Sequence, residues 1–82
     1  MKKEITNGGN LTFIDFELTK RNENFAVTMF ASFAIRKSDS KVYSKYYHVA
    51  IVNLKDDFKT RVIDAKSLKD VFNIYEVLGV MV

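Results

Sequence analysis

The most regular feature of the sequence is an alternation of apolar positions from Phe25 to Arg36. Every odd position in this segment is apolar, whereas the even positions mix Ala, Thr, Phe, Ser and Arg. Successive side chains of a β-strand point to opposite faces, so a period of two predicts a strand with one buried face. We therefore predict that 25–36 is the central strand of a sheet.

Residues 11–20 show the same alternation and predict the strand that precedes it. The even positions of this segment carry Ile14, Phe16 and Leu18, and the odd ones include Asp15 and Glu17. The pattern assigns the apolar positions to the core and the two acids to the outside. A polar interval of hairpin length separates this strand from the central one.

Residues 41–53 predict a further strand that is apolar on both faces. Tyr43 and Tyr47 share one face, and Tyr46 and His48 share the other. Such a strand is either covered on two sides or presents one face to a partner. A loop over 54–60 and a short edge strand over 61–65 follow.

The last element has a different period. From Leu68 onward, apolar residues recur at helical spacing, and Ser67 with Asp70 resembles a capping box that starts a helix. Gly79 is a typical C-terminal stop. The apolar tail, residues 80–82, is then expected to be buried in its own core or against a second copy of the chain.

These elements predict one small α+β domain over residues 1–82. An antiparallel meander of three or four strands is followed by one C-terminal helix packed on one face. Residues 1–10 are interpreted as a flexible N-terminal arm that leads into a turn, because Gly8 and Gly9 adopt positive φ at low cost.

Composition restricts the compartment and the chemistry. The chain has no Cys, which excludes thiol catalysis, zinc–thiolate sites and disulfides, and which is typical of a reducing compartment. No signal peptide or spanning segment is recognised, so we expect a cytoplasmic protein with no membrane association. Abundant Lys, Asn, Ile and Phe without Pro or Trp suggest an AT-rich gene of phage or mobile-element type, a hypothesis about codon bias alone.

No catalytic or metal-binding motif stands out, and we predict a protein that is not an enzyme and needs no cofactor or metal. His48 is the single histidine and has no serine or carboxylate beside it in sequence. Asp56 and Asp57 lack the ligand spacing of a calcium loop. The Gly8-Gly9 pair lacks the helix and lysine of a phosphate-binding loop. No small-molecule substrate is expected.

Charge is more informative in its distribution than in its total of +3. Between Lys20 and Arg61 the chain has nine basic residues and four acidic ones. In a meander, part of this charge collects at one hairpin end beside aromatic residues. The candidate binding residues are Phe30, Arg36, Lys37, Lys41, Tyr43, Lys45, Tyr46 and His48.

Exposed aromatic rings beside lysines are the combination that binds single-stranded nucleic acid, because rings stack on bases and lysines neutralise phosphates. The segments AVTMFASFAIR and KYYHVAIV resemble the central hairpin of bacterial single-stranded-DNA-binding proteins in their order, without a diagnostic motif, and no family is assigned. The leading hypothesis is a non-catalytic protein that binds single-stranded nucleic acid through a basic, aromatic sheet face.

The alternative hypothesis is a small protein–protein interaction module or an inhibitor of a host enzyme. It would use the same aromatic face as its interface, since Tyr combines a large contact area with a polar group. A homodimer through an edge strand or the apolar tail is compatible with both hypotheses.

Overall fold

A computed structural model describes residues 2–80. The chain forms one antiparallel sheet whose spatial order follows the chain order, so consecutive strands are joined as hairpins. The predicted α+β meander with a C-terminal helix is confirmed, with five strands in place of three or four. The elements are β1 (Lys2–Gly8), β2 (Leu11–Arg21), β3 (Phe25–Arg36), β4 (Val42–Asn53), β5 (Lys59–Ala65) and α1 (Leu68–Val77).

The additional strand is β1, in the segment that the sequence predicted to be a flexible arm. It pairs with β2 along its whole length, with Ile5 opposite Ile14 and Gly8 opposite Leu11. The connecting loop has two residues and includes Gly9 at φ 49°. A two-residue glycine-containing loop is typical of a tight hairpin. The alternation failed to predict β1 because Ile5 is its single apolar residue.

Strand register fixes which side chains share a face, because residues directly opposite in a ladder point the same way. In β3 the odd positions face α1, and they pair with the even positions of β2 and the odd positions of β4. A bulge between Ala34 and Ile35 shifts the ladder and places Val42 opposite Ile35. Val42 therefore leaves the face of Tyr46, which strict alternation along 41–53 predicts for it.

The core lies between α1 and the nearer half of the sheet. Its fully buried side chains come from β3, β4, the helix and the segment that follows it: Val27, Val49, Val71, Tyr75 and Val80. Tyr75 also donates a hydrogen bond from its phenol to the Leu18 carbonyl, at 2.9 Å. The helix is thus joined to β2 by a polar contact inside an apolar layer.

Both helix ends are capped by the predicted residues. The Ser67 hydroxyl accepts a hydrogen bond from the Asp70 backbone N–H, and Gly79 takes φ 70° beyond the last turn. The carbonyl of Leu78 accepts a bond from the Asn22 side-chain amide. Val80 is buried in the core of its own chain, which is one of the two alternatives predicted for the apolar tail. Met81 and Val82 of the apolar tail lie outside the described residues.

The helix covers less than half the length of the sheet. A helix of 10 residues is about 15 Å long, whereas strands of 12 residues extend about 40 Å. The chain accordingly measures 47 × 21 × 20 Å. We call the surface under α1 the helix side and the opposite surface the open face. The distal half is the part of the sheet from Tyr47 to the turns at 9–10 and 37–41, which α1 does not reach. Within residues 2–80, no helix combines the length and apolarity needed to cross a bilayer.

Candidate binding surfaces

The two aromatic residues at the centre of the predicted site lie on the open face and are exposed. Phe30 pairs with His48 across the ladder and Tyr46 pairs with Ser32. Their exposed fractions are 42% for Phe30 and 62% for Tyr46. The register therefore brings together the Phe30, Tyr46 and His48 side chains, as the sequence predicted, and leaves both rings accessible.

Carboxylates border these rings in two ladder rows that cross the open face. In one row, Glu17 and His48 lie on either side of Phe30, and Asp64 lies beyond His48. In the other row Glu4, Asp15, Ser32 and Tyr46 follow one another across four strands. The aromatic face is thus acidic and not basic, which is the main departure from the predicted site.

His48 is held by a carboxylate, and within residues 2–80 no hydrogen bond joins its ring to a hydroxyl group. Its Nδ1 lies 2.7 Å from Asp64 Oδ1, which positions the ring N–H to donate. Ser32 lies on the diagonal from His48 in the ladder, but its hydroxyl donates to Asp15 at 2.7 Å. A His–Asp pair on a flat strand surface is a structural contact unless a third group completes it.

Three of the predicted basic residues cluster at the β3–β4 turn. Arg36 donates from both Nε and Nη2 to Asp39, at 3.1 and 2.8 Å, so its charge is balanced locally. The backbone N–H of Lys37 donates to the Asn10 carbonyl and ties this turn to the β1–β2 loop. Within residues 2–80, Lys37 and Lys41 form no salt bridge, and they are exposed. They form a positive tip beyond the aromatic face.

Tyr43 and Lys45 separate from the open-face group. Lys45 pairs with Phe33 and lies on the helix side, in the distal half. Tyr43 occupies the bulge, and with Lys45, Phe33 and Tyr47 it lines a shallow groove. The eight predicted residues thus divide among the open face, the tip and the helix side.

The carboxylates of the strands all lie on one face. Glu4, Asp15, Glu17 and Asp64 point to the open face, which also has three cations nearer its margins, Lys2, Arg21 and Arg36. On the helix side, the charged strand residues are all cationic: Lys3, Lys20, Lys45, Lys59 and Arg61. The part of the open face around Phe30 and Tyr46 is therefore acidic, whereas the charged strand residues of the helix side are all basic.

The alternation of odd and even positions along β2 could have predicted that its carboxylates lie on the open face. Asp15 and Glu17 were assigned to the outside of β2, and β2 was assigned as the neighbour of β3. Adjacent antiparallel strands share their outer face, so both acids had to lie on the same face as Phe30. Glu4 had no comparable signal, because β1 was not recognised as a strand.

The remaining geometry offers little for metal binding. Within the described residues, no three His, Cys, Asp or Glu side chains come together as metal ligands. An apolar groove runs between α1 and β5, lined by side chains that include Ile51, Ile63 and Ile74, with Arg61 at its margin.

No family model, curated protein or solved structure matches this chain.

Proposed function

We propose that this chain is a non-catalytic binding protein whose open face docks on a positively charged surface of a protein partner. The observation that carries the proposal is the placement of Glu4, Asp15, Glu17 and Asp64 on the same face as two exposed rings. An interaction module that blocks an enzyme by occupying a basic surface is one form of this function.

Aromatic rings bordered by carboxylates fit arginine and lysine side chains. A guanidinium stacks on an aromatic face and pairs with a carboxylate through two parallel hydrogen bonds. Phe30 and Tyr46 would supply the central contact area of the interface, while the acids attract and orient the partner. The open face is a continuous sheet surface, so the spacing of its side chains along and across the strands is fixed by the ladder before binding.

The same charges oppose phosphate binding on this face. Nucleic-acid affinity depends on cations that replace condensed counterions. On the open face near Phe30, Lys2 is the nearest strand lysine in the ladder, and its Nζ lies 3.9 Å from a Glu4 carboxylate oxygen. The rings alone would stack on bases, but the backbone would meet negative charge.

The test is capture of a protein by the immobilised full chain from a nuclease-treated lysate of its source cells, at low and high salt. We expect one stoichiometric partner that is retained at low salt and released as salt rises, since the contact is partly electrostatic. Glu17→Lys should abolish retention, whereas Glu76→Lys, an equal charge change on the exposed side of α1, should not.

A matched pair of aromatic variants tests the rings separately. Phe30 and Phe72 are exposed to nearly the same extent, at 42% and 41%, but Phe72 lies on α1. Phe30→Ala should weaken partner binding by a factor on the order of 10 to 100, and Phe72→Ala by little. Equal effects of both variants would contradict an open-face interface.

Single-stranded nucleic acid is the second candidate ligand, on a different surface. The observation that favours it is the exposed pair Lys37 and Lys41 at the tip, next to Tyr43 and Lys45. Fluorescence anisotropy with an oligothymidine probe tests it. Binding that weakens steeply with salt, and that Lys41→Ala weakens with a flatter slope, would support this candidate. Absence of binding at low salt would eliminate it.

A further inference from the structure

The distal half of the helix side is an apolar surface without a covering layer. The inward rows of β2 and β3 continue from the edge of the core with Phe33, which packs against it, and with Ile14 and Ile35; all three are half-buried, and β1 adds Ile5, which is 59% exposed. The alternation therefore specifies a buried face along the whole strands, although α1 covers less than half of their length. A surface of this kind in a stable protein is normally buried by a partner.

The total exposed area is larger than that of a compact chain of the same mass, as the elongated shape requires. The chain exposes 5927 Å². A compact monomer of 9.5 kDa exposes about 5,000 Å² by the usual scaling of surface with mass. The excess of about 900 Å² is close to the roughly 800 Å² that each subunit buries in a standard protein interface.

We propose that a second copy of this chain covers the distal half, so that two helix sides pack face to face about a twofold axis. Such an interface is self-complementary, because each subunit offers the same patch. Two sheets packed in this way lie about 10 Å apart with their inner side chains interdigitated. The resulting dimer is a sandwich at its centre, with α1 of each subunit beyond the interface.

Two lysines lie at the edges of the distal half, where the rim of such a dimer interface would be. Lys3 and Lys45 lie on β1 and β4, which are the outer strands of the distal half because β5 ends opposite Tyr47. The apolar residues of β2 and β3 lie between them. An apolar centre with a polar rim is the usual anatomy of a protein interface. Lys3 also extends over the Phe16 ring, with Nζ 5.4 Å from its centroid, so its stem covers apolar surface while its charge stays at the margin.

The proposal is independent of the proposed function, since the open face remains free in the dimer. The competing occupant of the distal half is single-stranded nucleic acid, stacked on Tyr43 and held by Lys3 and Lys45. The two occupants respond to salt in opposite directions. Screening of the like-charged rim maintains or strengthens the dimer, whereas salt weakens nucleic-acid binding.

The experiment is sedimentation equilibrium of the full chain over a concentration series at two salt concentrations. We expect a monomer–dimer equilibrium that high salt does not weaken. Ile5→Lys should weaken it by a factor on the order of 100, because the substitution enters the interface once from each subunit. Thr6→Lys adds the same charge to the same edge strand but on the open face, and it should leave the equilibrium unchanged.

The same set of variants also tests whether the substitutions disturb folding and whether nucleic acid occupies the surface instead. Ile5 lies exposed on an edge strand, so Ile5→Lys should melt within a few degrees of the parent chain by circular dichroism. A monomeric mass at about 1 mM chain, a concentration above the Kd expected of a specific interface, would overturn the proposal. So would equal effects of Ile5→Lys and Thr6→Lys. A monomer whose oligonucleotide binding is strengthened by Ile5→Lys would assign the surface to nucleic acid instead.

Discussion

Tyr75 provides the sharpest test of how the helix is held to the sheet. The side chain has no exposed surface, and its phenol donates to the Leu18 carbonyl at 2.9 Å. Tyr75→Phe removes the hydroxyl and retains the ring, so we expect a loss of about 1 kcal/mol of folding free energy. Tyr75→Ala also empties the space of the ring and should cost about 3 to 5 kcal/mol.

These magnitudes are large for a chain of this length. A domain of 82 residues has a folding free energy of roughly 4 to 12 kcal/mol. Tyr75→Phe should therefore leave the chain folded at room temperature, whereas Tyr75→Ala should remove much of its stability. Val77 lies on the same helix with 84% of its surface exposed. Val77→Ala is the control and should change stability by less than about 0.5 kcal/mol.

The phenol also predicts a pH dependence. Burial raises the pKa of Tyr75 above its usual value of 10.0, and the backbone of Met29 opposes this in part. A pKa that is raised in the folded state gives stability that is complete below the pKa of the unfolded chain and is lost as pH rises above it. The parent chain should thus lose stability above about pH 10, at the pKa of a free tyrosine, and Tyr75→Phe should lack this component.

Urea denaturation followed by far-ultraviolet circular dichroism measures both effects. The difference in unfolding free energy between the parent chain and Tyr75→Phe should be greatest at neutral pH and should narrow as pH rises through 10.0. A difference that is constant through this pH window would refute the assignment of the phenol as a buried donor. A loss from Tyr75→Phe as large as that from Tyr75→Ala would refute the division between ring and hydroxyl.

Two further substitutions test local features of the fold. The Asn22 side chain accepts hydrogen bonds from the backbone N–H groups of Asn24 and Phe25 and donates one to the Leu78 carbonyl. Asn22→Ala should lower the free energy of unfolding, measured by urea denaturation, by about 2 kcal/mol and should speed amide exchange at the C-terminus of α1. Unchanged exchange would contradict this link between the β2–β3 turn and the helix. Phe58 has φ 54° in an exposed loop, a backbone conformation that is strained for any residue with a Cβ. The free energy of unfolding of Phe58→Gly should therefore exceed that of Phe58→Ala by about 1 kcal/mol. Equal stability of the two variants would show that the strain is absent.

The binding surfaces show where sequence reasoning succeeded and where it stopped. Parity placed Phe30 and Tyr46 on one face, and the register confirms that His48 lies beside them. The same alternation places Lys45 and Tyr46 on opposite faces of β4, although both belong to the predicted binding site. The charge of the face depended on neighbours in other strands, and Glu4 in particular could not be placed without knowing that β1 pairs with β2.

Local sequence patterns were sufficient to predict the strands at 11–20 and 25–36, the capped helix after Ser67 and the order of a meander. These features are local: they depend on side-chain period, on caps and on short turns, all of which are encoded within a few residues. Three other features are visible only in the folded structure. Lys2–Gly8 forms a strand, and the bulge at Ala34 and Ile35 moves Val42 to the helix side. In addition, α1 leaves the distal half uncovered. Each of these depends on contacts between segments distant in the chain, and a register shift of one residue would exchange the acidic face for the basic one.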